Sequence, residues 1–125
     1  MNLLDSSGWL EYFTDGPLAE RFAPLLKDPG EILVPTIVIY EVFKVILRER
    51  SEAEALRAAA AMRQGIVAEV TEEVALVAAK ISLENRLPMA DSIILAIARM
   101  QDATLWTMDE HFKGLPNVKY CRGKQ

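Results

Sequence analysis

Four short apolar runs, at residues 2–5, 32–34, 66–70 and 104–107, recur along this chain with segments of helical period between them. Runs that are apolar on both faces and separated by helices define a parallel sheet covered on both sides. The first run, Asn2-Leu3-Leu4, halts at Asp5, and Ser6-Ser7-Gly8 then opens an amphipathic segment through Trp9, Tyr12 and Phe13 that Gly16-Pro17 breaks. Leu18, Phe22, Leu25 and Leu26 have the spacing of a second helix, and Asp28-Pro29-Gly30 is a turn. Thr36 is expected to cap a helix to about Arg50, and Ser51 another over residues 52–64. Thr71 starts one ending near Arg86, with Glu72 and Glu73 suited to its dipole. After Leu87-Pro88 comes a helix over residues 89–101, and Val118-Lys119-Tyr120 is a candidate fifth strand. The expectation is an α/β chain: one three-layer α/β/α domain over residues 1–125, with a central parallel sheet of four to five strands and no internal repeat or linker.

Composition narrows the function. Of the residues, 51% are hydrophobic, which supplies a core and excludes a disordered polar chain. A net charge of -4 argues against a protein held on nucleic acid by bulk electrostatics, but not against a nuclease whose acids gather round a metal. Cys121 is the single cysteine and His111 the single histidine, so cysteine-rich and multi-histidine metal sites are excluded and a Ser-His-Asp triad is disfavoured. Met1-Asn2-Leu3-Leu4 meets Asp5 before any secretory apolar region, and no apolar run approaches the ~18 residues of a membrane span. A cytoplasmic, soluble protein is expected.

Four carboxylates stand where such a sheet would bind a ligand. Asp5 ends the first strand, Asp109 follows the fourth, Glu41 lies early on the helix after the second, and Asp91 sits in the first turn of the helix before the fourth. Open parallel sheets bind beyond the carboxyl ends of their strands, where strand order reverses. Each acid has a plainer explanation too. Asp5 and Asp109 precede helical segments and could be caps, Asp91 could complement a dipole, and Glu41 shares a face with Lys44 and Arg48. Taken jointly they resist it, because two carboxylates 4 Å apart repel by about 4 kcal/mol at an effective dielectric near 20. They must share protons or hold a cation, and an all-oxygen site suits Mg²⁺ or Mn²⁺. Such ions support phosphodiester cleavage, with Lys44 and Arg48 placed to hold substrate phosphate.

The segments Leu3-Leu4-Asp5-Ser6-Ser7, Pro35-Thr36-Ile37-Val38-Ile39-Tyr40-Glu41-Val42, Leu87-Pro88-Met89-Ala90-Asp91-Ser92-Ile93-Ile94 and Leu105-Trp106-Thr107-Met108-Asp109-Glu110-His111-Phe112 resemble, in order, the four acidic blocks of PIN-domain ribonucleases. The resemblance is nearest to the VapC-type toxins of toxin–antitoxin pairs and runs from residue 2 to about 120. It implies a PIN-like fold and a metal-dependent endoribonuclease in which Asp5, Glu41, Asp91 and Asp109 are the catalytic, metal-binding acids. Asp5 and Asp91 would be the most direct ligands of Mg²⁺ or Mn²⁺, with Ser6 and Thr107 bonding to ligands or water. It further implies an RNA substrate, a homodimer, and an antitoxin that covers the cleft.

Glu110 adds an acid beside Asp109 whose part in the site is left open. Lys113, Lys119, Arg122 and Lys124 form an acid-free basic tail, either steering phosphate or simply a frayed terminus. His111 is read as a partly exposed helix residue ahead of a proton shuttle. Trp9, Tyr12, Phe13, Tyr40 and Phe43 are read as core or dimer interface ahead of base-stacking platforms, and Cys121 as structural. Competing functions are a receiver-like signalling module, a non-catalytic binding module of the same fold, and a housekeeping RNA-processing nuclease. The first lacks an Asp at the end of the third strand and a Lys after the fourth.

Overall fold

The structure is a computed structural model that describes residues 1–122. Strand β1 (Asn2–Leu4) is followed by helix α1 (Ser6–Phe13), the short α2 (Ala19–Phe22) and two 3-10 turns, Ala23–Lys27 and Pro29–Glu31. Next come β2 (Ile32–Pro35), α3 (Thr36–Glu49), α4 (Glu52–Met62), β3 (Ile66–Ala68), α5 (Glu72–Asn85) and α6 (Met89–Met100). Strand β4 (Thr104–Thr107), a 3-10 turn at Glu110–Phe112 and β5 (Val118–Tyr120) complete the fold.

All neighbouring strands pair in parallel, in the order β3-β2-β1-β4-β5, so the expected sheet has its fifth strand. Steps from β1 to β2 to β3 run one way and the connection to β4 runs back. Because parallel crossovers are right-handed, those connections cover opposite faces and give the three-layer α/β/α arrangement. Burial follows the strands: Leu3, Leu4, Ile32, Leu33, Val34 and Leu105 lie in the core beneath Val38, Val42, Ile94, Leu95 and Ile97.

Ser51 and Thr71 cap as expected, accepting from the amides of Glu54 and Val74. Thr36 does not: Pro35 occupies the cap position without a side-chain bond, and Thr36 is the first helical residue. The expected second helix survives only as α2, since Pro24 cannot donate to an α-helical ladder and the chain tightens into a 3-10 turn. Helix α4 stops at Met62, short of residue 64, because Gly65 brings the chain hard against β2. A Cβ at Gly65 would stand 2.8 Å from Val34 Cγ2 and 2.9 Å from the Ile32 carbonyl oxygen, so only glycine fits. Strand β3 is shorter than residues 66–70 and is not buried. It is an edge strand, paired on one side only, its last pair is Pro35↔Ala68 where β2 ends, and Ile66 and Val67 stand exposed.

Val118–Tyr120 belongs to the sheet, so the frayed-terminus reading fails for that stretch, and Lys113 Nζ lies 5.7 Å from the centre of the Tyr120 ring. Lys124 lies outside the described residues. Trp9 and Phe13 stack with centroids 5.5 Å apart, and Trp9 is buried, as a packing role requires. Tyr12 and Tyr40 lie outside the core, at 38% and 58% exposure, which overturns only the core half of their reading. Cys121 is buried and unpaired, a structural residue. No helix among the described residues is long and apolar enough to cross a membrane.

Candidate active site

Strand order reverses between β1 and β4, and Asp5 is the first residue past β1 at that point. Its backbone amide donates to the Trp106 carbonyl at 3.2 Å. Its carboxylate caps α1 by accepting from the Gly8 amide at 3.1 Å, so the capping role is real. It does more than cap. Oδ1 also accepts from Ser7 Oγ at 2.6 Å, and Oδ2 accepts from Thr107 Oγ1 at 2.6 Å, across the boundary to β4. Thr107 Oγ1 in turn accepts from the Asp109 amide, and Ser7 Oγ from the Met108 amide, both at 2.9 Å. Burial pushes the Asp5 carboxyl up to about 6; the bonds from Ser7, Thr107 and Gly8 oppose this, and the charge of Asp109 adds to it.

Glu41 reaches the same end of the sheet from α3. Burial raises its pKa first, Ser6 lowers it, and Asp91, Asp5 and Asp109 each raise it. Its Oε1 is buried with no hydrogen-bond partner among the described residues. The solvated, ion-paired face that sequence spacing allowed is not formed. Lys44 Nζ lies 3.4 Å from the Tyr40 hydroxyl, and Arg48 pairs with Glu49 at 2.9 Å. Arg48 stands two turns along, about 10 Å from Glu41 at 1.5 Å rise per residue.

Asp91 sits in the first turn of α6, where the helix dipole favours a negative charge. Burial raises its pKa, Asp109 raises it further, and His111 lowers it. Asp109 caps the turn Glu110–Phe112 by accepting from the His111 amide at 2.9 Å. His111 Nδ1 lies 3.0 Å from Asp91 Oδ2 and 3.2 Å from Asp109 Oδ1. Both acids raise the pKa of His111, the Asp91 bond most.

The four sequence-selected acids therefore meet at one end of the sheet, where Asp5, Glu41 and Asp91 each have their pKa raised by at least one neighbouring acid. A tighter group, two of these acids with a histidine (Asp91, Asp109 and His111), has one ligand atom from each residue all within 4.8 Å of one another. Thr107 supports Asp5 as anticipated, and Ser6 faces Glu41. Glu110 is exposed. Sequence reading missed Ser7, the hydroxyl that holds Asp5, and left His111 outside the acid pair it bridges. A hydroxyl two residues past a strand-end acid was the available signal for the first. His111 two residues past Asp109 was the signal for the second, since that is the span of an Asx-type turn.

These donors fit a divalent cation. An orphaned carboxylate oxygen stands among acids that repel one another, and the group offers oxygen ligands with one imidazole nitrogen.

The PIN domain family model matches residues 3–118, and the chain belongs to that family, as its four acidic blocks suggested. No curated protein matches it in sequence. Among solved structures it is similar to a toxin–antitoxin complex from Klebsiella pneumoniae, at 21% identity, TM-score 0.85, and coverage of 99% of this chain and 100% of that one. VapC20 of Mycobacterium tuberculosis, described as a toxin that cleaves the sarcin-ricin loop, is similar at 18% identity and TM-score 0.72, covering 90% and 92%. VapBC2 of Rickettsia felis, bound to promoter DNA, is similar at 15% identity and TM-score 0.75, covering 98% of both chains.

Proposed function

We propose that this protein is a Mg²⁺- or Mn²⁺-dependent endoribonuclease, the toxin of a toxin–antitoxin pair acting in the cytoplasm. The observation that carries the reading is the orphaned Glu41 oxygen among like-charged neighbours. A buried acceptor without a donor costs about 1–3 kcal/mol, and a cation removes both that cost and the repulsion. Asp5, Glu41, Asp91 and Asp109 hold it. When bound, a divalent cation supplies positive charge to the scissile phosphate and to the oxygens that gain charge during hydrolysis.

The chain's own groups do the rest. Bonds from Ser7, Gly8 and Thr107 fix Asp5, so its charge meets the cation without rearrangement. Tyr40, exposed one residue from Glu41 with Lys44 Nζ 5.6 Å from its ring centre, offers a base a stacking face and a phosphate a positive charge. Phosphate selection thus rests on Lys44 and the cation, which reconciles the net charge of -4 with an RNA substrate.

The similar toxin–antitoxin assemblies support an antitoxin partner that silences the site. Self-association is read from α5 and α6. Leu83 and Met89, at 85% and 74% exposure, stand beside a groove of about 430 Å³ lined by Ala75, Ala78 and Ala79. This exposed apolar face of α5 and α6 is read as the contact between two copies, so sedimentation should find a dimer that Leu83→Asp dissociates. A non-catalytic module is not favoured, since it would carry the cost of these acids with no cation to offset it. A housekeeping nuclease would share the chemistry and lack the antitoxin.

The test is Mn²⁺-dependent cleavage of one structured and one unstructured RNA by wild type and by Asp91→Asn. Activity should vanish in the variant and in chelator. Equal cleavage by both proteins refutes the site.

A further inference from the structure

Sequence alone suggests an all-oxygen cation site with the chain's single histidine outside it. We propose instead that His111 is a nitrogen ligand of the cation. Its Nδ1 would bind the ion together with carboxylate oxygens of Asp91 and Asp109, and this makes the site prefer Mn²⁺ to Mg²⁺. The proposal rests on the metal-dependent reading above and deepens it by assigning the ion.

The distances carry the argument. Nδ1 stands 3.0 Å from the Asp91 oxygen and 3.2 Å from the Asp109 oxygen, and one ligand atom from each of the three residues lies within 4.8 Å of the others. Two ligands at right angles around an ion, with bonds of about 2.0–2.2 Å, are separated by about 3 Å. The two nitrogen–oxygen separations match that spacing.

The backbone also delivers the ring there. Asp109 accepts from the His111 amide, which fixes residues 109–111 in a turn, and the next side chain, Phe112, is fully buried and anchors that turn to the core. The imidazole hangs from this anchored backbone beside both carboxylates, with 58% of its side chain still exposed, so packing does not forbid the small rotations that ligation needs. Asp5 differs. Its two oxygens already accept three hydrogen bonds, which makes it the fixed wall of the site and leaves Asp91, Asp109 and His111 as its adjustable rim.

Imidazole changes the order of metals. Carboxylates serve Mg²⁺ and Mn²⁺ alike, whereas nitrogen donors favour the transition metals, so one histidine with two acids ranks Mn²⁺ above Mg²⁺. The competing account treats the same contacts as an ion pair only, in which a cation entering the site displaces the ring.

Having one histidine makes the distinction sharp. In untagged protein, any imidazole nitrogen coupled to the Mn²⁺ electron spin must be His111. Pulsed electron paramagnetic resonance of the Mn²⁺-loaded protein should show ¹⁴N imidazole modulation, absent from His111→Ala loaded with the same ion. Calorimetry should find Mn²⁺ binding weakened about tenfold or more in the variant, the low end of the 10–100-fold cost of losing even a supporting group, with Mg²⁺ binding changed far less. Mn²⁺ bound to wild type without nitrogen modulation overturns the proposal and leaves the cation site standing, as does tighter Mn²⁺ binding by His111→Ala, the signature of displacement. If wild type binds no Mn²⁺ at all, the cation site itself fails and takes this assignment with it.

Discussion

Asp5→Asn should stabilise the metal-free protein, and should do so more at high pH. Asp5 titrates at 3.8 in an ordinary setting and at about 6 in the fold, because burial disfavours its charge. Below 3.8 it is protonated in folded and unfolded chains alike, and folding bears no cost. As pH rises from there towards 6, the unfolded chain ionises first, so folding must take up a proton and stability falls. Above 6 the full difference persists. It amounts to about 3 kcal/mol at pH 8 and roughly half that at pH 5. Asparagine removes the charge and keeps an oxygen to accept from Ser7 and Gly8. Its amide group then meets Thr107 Oγ1, which already accepts from the Asp109 amide, and this rearrangement costs about 1 kcal/mol. The net gain is about 2 kcal/mol at pH 8 and about 0.5 kcal/mol at pH 5. Urea denaturation in chelator at the two pH values measures it. A variant less stable than wild type at pH 8, or a gain independent of pH, would refute the argument that burial of this charge is what the fold strains against. Saturating Mn²⁺ should invert the order, stabilising wild type through binding to the folded state alone and leaving the variant nearly unmoved.

Other substitutions probe the supports. Thr107→Val removes a buried hydroxyl that donates to Asp5 and accepts from Asp109. It should cost about 1–3 kcal/mol in denaturation and raise the Asp5 pKa further, as followed by carboxyl ¹³C titration. Gly65→Ala forces a methyl against Val34 and the Ile32 carbonyl and should cost about 1–3 kcal/mol, whereas an unchanged melting temperature would show that β2 yields. Tyr40→Ala should leave stability within about 0.5 kcal/mol, since the ring is exposed. It should weaken RNA binding by about 5- to 150-fold, from the 1–3 kcal/mol of a stacked base, and raise KM while sparing kcat. An unchanged KM removes Tyr40 from the substrate path.

Legibility in this sequence followed periodicity. Buried strands read well because both of their faces are apolar: Leu3-Leu4 and Ile32-Leu33-Val34 could hardly lie anywhere but at the centre. Strand β3 misled because Ile66-Val67-Ala68-Glu69-Val70 is apolar enough to suggest burial, while strand order, which decides which strand is outermost, is set by long-range packing. The acids were legible as positions relative to strand ends, and their meeting follows from the reversal of strand order between β1 and β4. Glu41 was the least legible. Its spacing to Lys44 and Arg48 suggested an ion-paired surface, and only the crossing of α3 over the end of the sheet turns it inward. His111 was discounted for a sound general reason, that exposed histidines are common. What overrides that reason is a turn geometry joining residues 91 and 111, a span of twenty positions that no local pattern encodes.

The plain explanations for these acids turned out true without being sufficient, and that has a physical consequence. Asp5 and Asp109 do cap helical turns, and Asp91 does sit at a helix start. A cap fixes a carboxylate in one rotamer by tying it to a backbone amide, which is what a cation site needs of its ligands. Stability and preorganisation therefore draw on the same bonds at Asp5 and Asp109. Glu41 has no such reward: its Oε1 is buried and unpaired, and three other carboxylates raise its pKa. A chain selected for stability alone would place a neutral residue of similar shape at position 41. That conflict, a carboxylate oxygen left unpaired among other acids where strand order reverses, is the strongest physical reason to regard this end of the sheet as built for a cation and its substrate.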